Sequence, residues 1–321
     1  MTKRLATLLM FLLFLPAVLY AQSNYPSRPV KLIVPFSPGG PSDTLARTFG
    51  MEMEKRLKQP FVIENRPGGL TLIGVNVVVN SPADGYTLLV TSGSVLASEQ
   101  VGNPDWPVRV DRDLTPISVF AGSGFAIVIT SNLPVKSMRE LVDYSRANPG
   151  KLNQAQAGSI AVEIELLKQR LHMGSVENVI YKSGPLAVQA IASGEAQFYA
   201  AAVPDVVQLE KAGKLKIILY TERSRHPQIP HVPTPREAGL GVDDYVSGFW
   251  FVLMGPAKLP PEITNKLSAT TAEMVKSADF TERAMAFGME PYAYTQEQTV
   301  ARISGTIKAL TDAKNAGVRL R

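Results

Sequence analysis

Blocks of apolar and polar positions predict strands and helices in alternation. Residues 32–36 form a short apolar run typical of a buried strand. A glycine–proline loop, Ser37-Pro-Gly-Gly-Pro-Ser-Asp43, follows it, and apolar residues then recur at helical spacing from Leu45 to Leu57. Either Ser42 or Asp43 is the expected N-cap of this helix. Because a strand, a glycine turn and a helix start bring uncapped backbone N–H groups together, the loop is a candidate anion cradle.

The alternation continues along the whole chain. The pattern predicts strands at 61–64, 86–91, 115–120, 125–130, 176–181, 215–220 and 248–254, and helices at 70–79, 137–147 (capped by Ser137), 160–171, 186–193 and from Pro260-Pro261 onward. A βαβαβ order favours a parallel sheet covered by helices, with its binding crevice at the carboxyl ends of the strands.

The order of these elements predicts an α/β fold of two lobes with a ligand cleft between them. Lobe 1 is discontinuous, with residues 22–122 and 247–321, and lobe 2 has residues 123–246. Crossovers near 121–125 and 243–249 join the lobes, which is the design of a hinge.

Residues 1–21 have the order of a secretory signal peptide. Lys3 and Arg4 precede an apolar run, Pro16 interrupts it, and small residues lead to a cleavage site after Ala21. The run is short for a membrane anchor. We therefore expect export to the periplasm and a mature protein that is not inserted in the membrane. The absence of cysteine excludes disulfides and lipid attachment through cysteine.

Charge and motif content argue against several other classes of protein. The net charge of +5 is scattered, and no DNA-reading motif occurs, so we expect no nucleic-acid partner. No G-x-S-x-G elbow, phosphate loop or dinucleotide fingerprint is present, and we expect neither a cofactor nor a metal, nor enzyme activity. His172 is expected at the surface or as a cap, and His226 and His231 as solvated loop residues. The acid pairs at 111/113 and 243/244 are expected to face solvent.

Small-residue loops at predicted strand ends remain as candidate chemistry. They are Ser37-Pro-Gly-Gly-Pro-Ser-Asp43, Thr91-Ser-Gly-Ser94, Ala157-Gly-Ser159 and Ser183-Gly-Pro185. Any one could be a tight turn, but several on one side of the sheet favour a shared role. Backbone amides and hydroxyls there can hold a carboxylate, directly or through water. Arg66 is the nearest cation in sequence, and it is either an anion clamp or a structural surface residue.

Four ordered motifs suggest a family. Val34-Pro-Phe-Ser-Pro-Gly-Gly-Pro-Ser-Asp43, Glu64-Asn-Arg-Pro-Gly-Gly69, Pro82-Ala-Asp-Gly-Tyr-Thr-Leu-Leu89 and Val232-Pro-Thr-Pro-Arg-Glu-Ala-Gly239 together resemble the extracytoplasmic solute receptors of tripartite tricarboxylate transporters, of the Bug/TctC type. The resemblance covers essentially the whole mature chain. It implies a two-lobed periplasmic-binding fold of type II that carries a small carboxylated metabolite to the integral-membrane permease subunits of a tripartite transporter. We expect the receptor to be a monomer.

In that family a loop resembling 36–43 and a loop of the second lobe pinch the ligand carboxylate, largely with backbone groups and water. The second lobe of this chain departs from the pattern. The loop 154–159 is shorter than usual, Ala161 stands where a histidine is common, Gln197 and Ala201 stand where aspartates are frequent, and Ser183 replaces a usual glycine. These departures leave open which ligand the second lobe selects.

We therefore expect a binding receptor whose site combines small-residue loops from both lobes. The expected ligand-binding residues are Phe36, Ser37, Gly39, Gly40, Asp43, Ser92, Gly93, Ser94, Gly158, Ser159 and Ala201. Asp43 would cap the helix and order its loop, while Gly39 and Gly40 would let backbone approach the ligand. The alternatives are an exported hydrolase-like α/β enzyme, the effector domain of a transcription regulator, and a sensory receptor that presents its ligand to a signalling partner.

Overall fold

The structure is a computed structural model that describes residues 25–157, 160–222, 224–242 and 248–315. The predicted signal segment lies outside the described residues.

The first sheet contains six strands in the described part of the chain. Numbered in chain order, they are β1 Val30–Val34, β2 Phe61–Asn65, β3 Thr87–Ser92, β4 Leu114–Ser123, β10 Phe249–Pro256 and β11 Glu290–Pro291, arranged β11-β4-β10-β3-β1-β2. Strands β1, β2 and β3 are parallel, and β10 is antiparallel to β3 and β4. The helices of this lobe are α1 Pro41–Leu57, α2 Leu72–Val79, α3 Gly93–Gly102, α4 Val110–Asp113, α9 Pro261–Met274, α10 Ala278–Ala286 and α11 Gln296–Asn315.

The second sheet is formed by the middle of the chain. Its strands are β5 Ala126–Thr130, β6 Leu152–Gln156, β7 Val176–Ile180, β8 Phe198–Ala201 and β9 Leu215–Tyr220, arranged β7-β6-β8-β5-β9. Strands β6, β7 and β8 are parallel, and β5 is antiparallel to β8 and β9. Its helices are α5 Met138–Ala147, α6 Ile160–Arg170, α7 Gly184–Ser193 and α8 Val203–Lys211.

Apolar cores cover both faces of each sheet. On one face of the first sheet, α1 contributes Leu45, Phe49 and Met53 to the core, and on the other face α2 contributes Val75 and Val78. The second sheet packs α5 and α6 on one face and α7 and α8 on the other. The end of α11 also enters the second core, through side chains 310 and 313, so apolar contacts join the two lobes.

The crossovers place the carboxyl ends of both sets of parallel strands opposite each other. In the second sheet, Ala126 begins β5 directly after the first crossover and pairs with Ala201 at the end of β8. In the first sheet, Phe249 begins β10 directly after the second crossover, and Phe251 pairs with Ser92 at the end of β3. The two edges therefore face each other across the hinge, where a two-lobed α/β protein holds its ligand.

Very small residues allow the chain to pass between the lobes. A Cβ on Gly248 would lie 2.3 Å from the carbonyl oxygen of Ser123, so the two crossovers touch through their backbones. A Cβ on Gly124 would lie 2.6 Å from Cγ of Glu222. Only glycine fits either position without a shift of backbone or of a buried side chain.

Polar contacts tie the lobes together beside these glycines. The Tyr220 hydroxyl accepts from the Gly124 amide at 3.1 Å and donates to Glu290 Oε1 at 2.6 Å. The Arg302 guanidinium lies 3.4 Å from the Glu222 carboxylate. Burial raises the pKa of Glu290 to about 7; the Tyr220 hydrogen bond opposes this rise and the charge of Glu222 adds to it.

Several predicted elements differ from the observed ones. The loop expected at 154–159 is strand as far as Gln156, because its polar residues pair with β7 in a register that local propensity does not reveal. Strand β4 continues past residue 120, because Gly122 pairs with both Trp250 and Glu290. The expectations for β9 and for the Ser137 cap, which accepts from the Glu140 amide at 3.2 Å, are confirmed.

His226 is not the solvated residue that the sequence suggested. It is 2 % exposed, and its ring packs edge-on against Tyr220 with centroids 5.3 Å apart. Its Nδ1 accepts from the Gln228 amide at 3.1 Å. Burial lowers the pKa of this imidazole. His226 is buried because the proline-rich connector, which supplies Ile229 and Val232, packs against the second sheet and forms part of its core.

The Glu290 environment predicts a specific pH dependence. The folded pKa is raised above the unfolded value, so the stability contributed by protonated Glu290 is full below about pH 4.5 and is lost as the pH rises through about 7. Glu290→Gln keeps an acceptor for Tyr220 without the charge. It should match wild type in urea unfolding at pH 4.5 and exceed it by about 1–3 kcal/mol at pH 8. An equal difference at both pH values would contradict the assignment.

Candidate functional site

The start of α1 is the centre of the first-lobe edge. Helix α1 begins at Pro41 with Gly40 as its N-cap, and the cap position makes no side-chain hydrogen bond. The expectation that Ser42 or Asp43 is the N-cap is therefore wrong. Proline is well suited to the first helical turn because its missing N–H needs no partner there and its φ is already helical.

Asp43 folds the loop from inside the helix. It is 3 % exposed, and its Oδ2 accepts from the Gly39 amide and from Arg47 Nε, both at 2.9 Å. Its Oδ1 accepts from Asn65 Nδ2 at 2.8 Å. The same Asn65 nitrogen donates to the carbonyl oxygen of Phe36 at 3.1 Å. Both ends of the loop are thus fastened to one buried carboxylate and its amide partner.

The charged form of Asp43 is the one these contacts favour. Burial alone would raise the pKa of the carboxyl group, but hydrogen bonds from Arg47, Gly39 and Asn65 outweigh it and leave the pKa below its ordinary value. The Gly39 amide is therefore used within the loop. The first helical hydrogen bond of α1 runs from the Thr44 amide to the Gly40 carbonyl, so the N–H groups of Ser42 and Asp43 precede it and need partners outside the helix.

The Thr91–Ser94 segment forms a second helix start beside the first. Thr91 and Ser92 end β3, and Gly93 and Ser94 begin α3, so the strand joins the helix directly and the loop expected from the sequence is absent. Ser92 is the N-cap: its Oγ accepts from the Val95 amide at 3.4 Å and lies 3.0 Å from Ser94 Oγ. Since β3 is the neighbour of β1, the N-termini of α1 and α3 share one edge of the sheet.

Gly93 has a packing role that the sequence did not indicate. A Cβ at this position would lie 1.8 Å from Cζ3 of the buried Trp250. The indole of β10 thus closes directly on the first residue of α3.

The remaining expected residues lie as follows. Phe36 is half-buried against the first core, while Ser37 and Gly39 are exposed. Ala201 ends β8 with its side chain 1 % exposed. Gly158 and Ser159 lie outside the described residues, as does the acid pair 243/244.

Two partners of Asp43 were missed by sequence reasoning, and Arg66 has a different partner from the one considered. Arg47 lies four residues after Asp43, a spacing that by itself indicates a side-chain pair on a helix. Asn65 could be found only from the strand register, in which it pairs with Val34. Exposed Arg66 donates through Nε to Glu64 at 2.6 Å, which matches the structural role rather than the clamp.

Other chemistry is sparse in the part of the chain that the structure describes. Asp111 and Asp113 pair with arginines 109 and 112. His231 contacts Glu210 at 3.2 Å, and His172 is exposed in a left-handed turn after α6. No cluster of three or more acidic, histidine or cysteine side chains could hold a metal among the described residues, and none of the described helices has the length and apolarity to cross a bilayer.

Comparison with known proteins identifies the family. The model of the tripartite tricarboxylate transporter family receptor, TctC, matches residues 45–312. The chain belongs to this receptor family. The receptor is 32% identical to protein BugT of Bordetella pertussis over 289 residues, which are 89% of this chain and 88% of that protein.

Solved structures agree with the two-lobed type II fold. A TctC solute-binding protein from Polaromonas matches with a TM-score of 0.81 at 23% identity, over 91% of this chain and 99% of that chain. Rpa4515 of R. palustris, solved with adipate, matches with a TM-score of 0.63 at 29% identity, over 91% of the receptor and 98% of that chain.

Removal of the Asp43 carboxylate should reduce both the order of the loop and the affinity for the ligand. Asp43→Ala releases the Gly39 and Asn65 donors and should weaken binding of a carboxylate ligand about tenfold or more. Calorimetric titration measures this loss. Asp279→Ala, which removes an exposed carboxylate paired with Lys55 on the surface of the same lobe, is the matched control and should keep wild-type affinity. Wild-type affinity in Asp43→Ala would contradict the ordering role.

The contact between Gly93 and Trp250 predicts an effect on stability. Gly93→Ala overpacks this junction and should lower the free energy of unfolding by about 1–3 kcal/mol. Gly305→Ala is the control, because no atom lies within 4 Å of the added Cβ in the interior of α11. Helix propensity should make that variant about 0.5–1 kcal/mol more stable. Urea unfolding followed by tryptophan fluorescence compares the two, and equal effects would refute the packing role.

Proposed function

We propose that this receptor captures a small carboxylated metabolite in the cleft between its lobes. The observation that carries the proposal is the pair of helix N-termini, α1 and α3, at the edge that faces the second lobe. Helix N-termini offer unpaired N–H groups and a partial positive charge to an anion. The bound adipate of Rpa4515 is a carboxylate of the expected class.

In this proposal the first-lobe loop holds one carboxylate group of the ligand through N–H and O–H donors and not through a positively charged side chain. Ser37, Gly40 and the first turn of α1 provide donors on one side, and Ser94 provides one on the other. Ser92 is 0 % exposed, and its hydroxyl positions that of Ser94 from 3.0 Å away. Arg47 is held by Asp43 through an ion pair and contributes the shape of the loop. Gly39 also shapes the loop, with its φ of 81° and its amide bonded to Asp43.

The second lobe completes the site as the lobes close. Ala201 ends β8 on the opposing edge. Gly158 and Ser159 come soon after β6 in the sequence, and all three residues are proposed to contact the ligand or its bound water. The predicted boundaries, 22–122 with 247–321 and 123–246, place one hinge between the two halves. Closure buries the ligand and creates a surface that differs from that of the empty protein, which gives a partner something to recognise.

The proposed biological role is delivery. Residues 1–21 direct export to the periplasm, and the monomeric receptor passes its ligand to the integral-membrane subunits of a tripartite transporter. Binding without turnover is sufficient for this role, and it needs no cofactor.

A carboxylate panel tests the ligand class. Mono-, di- and tricarboxylates are added to the mature protein, and thermal unfolding is followed. A ligand present at 100 times its Kd stabilises the native state by about 2.7 kcal/mol, so a cognate carboxylate should raise the Tm by several degrees. Matching amides should leave the Tm unchanged. No shift with any carboxylate would contradict the proposal, and loss of a bound carboxylate by chemical conversion would favour an enzyme.

A further inference from the structure

The hydroxyl group of Tyr199 is left without a hydrogen-bond partner in the part of the chain that the structure describes. Its side chain lies in the core between the second sheet and α7 and α8, and the residue is 3 % exposed. No hydrogen bond joins its hydroxyl to any residue within 25–157, 160–222, 224–242 or 248–315. Unlike the Tyr292 hydroxyl, however, that of Tyr199 is not sealed from solvent. A buried ring thus carries a hydroxyl group that water or a ligand can reach.

The hydroxyl points at the N-terminus of α7. A Cβ on Gly184, the first residue of that ten-residue helix, would lie 3.5 Å from Tyr199 Oη. The glycine therefore leaves a small recess beside the hydroxyl. Ser183 is the N-cap, and its side chain makes no capping hydrogen bond. The first backbone bond of the helix runs from the Ala187 amide to the Ser183 carbonyl at 3.2 Å, so the N–H groups of Gly184 and Leu186 precede it.

This recess lies on the second-lobe edge that faces the first lobe. Strands β7 and β8 both run parallel to β6, so the residues after β7 and those at the end of β8 lie at the same edge. Ala201 ends β8 opposite Ala126, directly beside the first crossover. Tyr199, the N-terminus of α7 and the first-lobe loops therefore border one cleft.

The charges around the recess favour a bound acceptor on the α7 side. Burial raises the pKa of Tyr199, and the nearby carboxylate of Asp205 in the first turn of α8 raises it further, so the hydroxyl stays a donor at neutral pH. Exposed Lys182 directly precedes the Ser183 cap. An anion on the α7 side receives hydrogen bonds from the Tyr199 hydroxyl and from the first backbone N–H groups of α7. On the α8 side it would meet the negative charge of Asp205.

We propose that Tyr199 and the first turn of α7 bind a second carboxylate of the ligand, so that this receptor selects dicarboxylates over monocarboxylates of equal chain length. The inference rests on the proposed function, in which the first lobe holds the other carboxylate. Tyr199 is then a specificity-determining residue, and the two helix-terminal sites define the length of the ligand.

Paired titrations test the proposal. Succinate, glutarate and adipate are titrated against butyrate, valerate and hexanoate by calorimetry, with wild type and Tyr199→Phe. The substitution keeps the ring and removes only the hydroxyl. It should weaken the dicarboxylates that bind by about tenfold or more, the value of a hydrogen bond to a charged group, and change the monocarboxylates less than twofold. Tyr144→Phe, on α5 away from this edge, is the control and should match wild type.

A second variant keeps the test valid if Tyr199→Phe does not fold correctly. Gly184→Ala puts a methyl group into the recess in ordinary contact with Tyr199, so it should fold and lose dicarboxylate affinity in the same selective way. An unchanged ratio of di- to monocarboxylate affinity in both variants would overturn the inference. Wild type binding both classes equally well would also overturn it and leave the proposed function intact, whereas wild type binding no carboxylate would refute the proposed function itself.

Discussion

The double crossing of the chain between its two sheets is the constraint on which the rest of the structure depends. At Gly248 the returning chain touches the backbone of Ser123, and no side chain fits between them. This close contact fixes which strand ends face each other. The carboxyl ends of β1 and β3 meet those of β7 and β8 across the hinge, and every helix that follows one of these strands presents its N-terminus to the cleft. The anion-binding character of the site thus follows from topology before any charged side chain is considered.

Buried polar side chains fix the positions of the main-chain segments around them. Asp43 is the clearest example, because its carboxylate bonds to the chain before α1, to a neighbouring strand end and to Arg47. It leaves a rigid loop with N–H groups free for a ligand. At the hinge, the hydrogen bond from the Tyr220 hydroxyl to the Glu290 carboxyl group holds the two lobes together in a similar way. The second lobe contrasts with both, since the Tyr199 hydroxyl has no hydrogen-bond partner among the residues that the structure describes.

Local sequence patterns predicted much of the fold but less of the site. Regular apolar runs such as 215–220 and the cap at Ser137 are determined by nearby residues, and they were found correctly. Strand β6 was missed because its pairing with β7 outweighs its polar composition. Gly93 was interpreted as a ligand contact, although its packing against Trp250 depends on a residue more than 150 positions away. The partnership of Asn65 with Asp43 likewise required the strand register, and the open hydroxyl of Tyr199 required the positions of α7 and α8.

We propose that the two facing lobes close on a carboxylate about this hinge. Small-angle X-ray scattering of the mature protein, with and without a saturating carboxylate identified by thermal shift, tests it most directly. The radius of gyration should fall on binding, and the empty protein should return to the larger value after dialysis. A bound carboxylate that leaves the scattering curve unchanged would contradict closure about the crossovers.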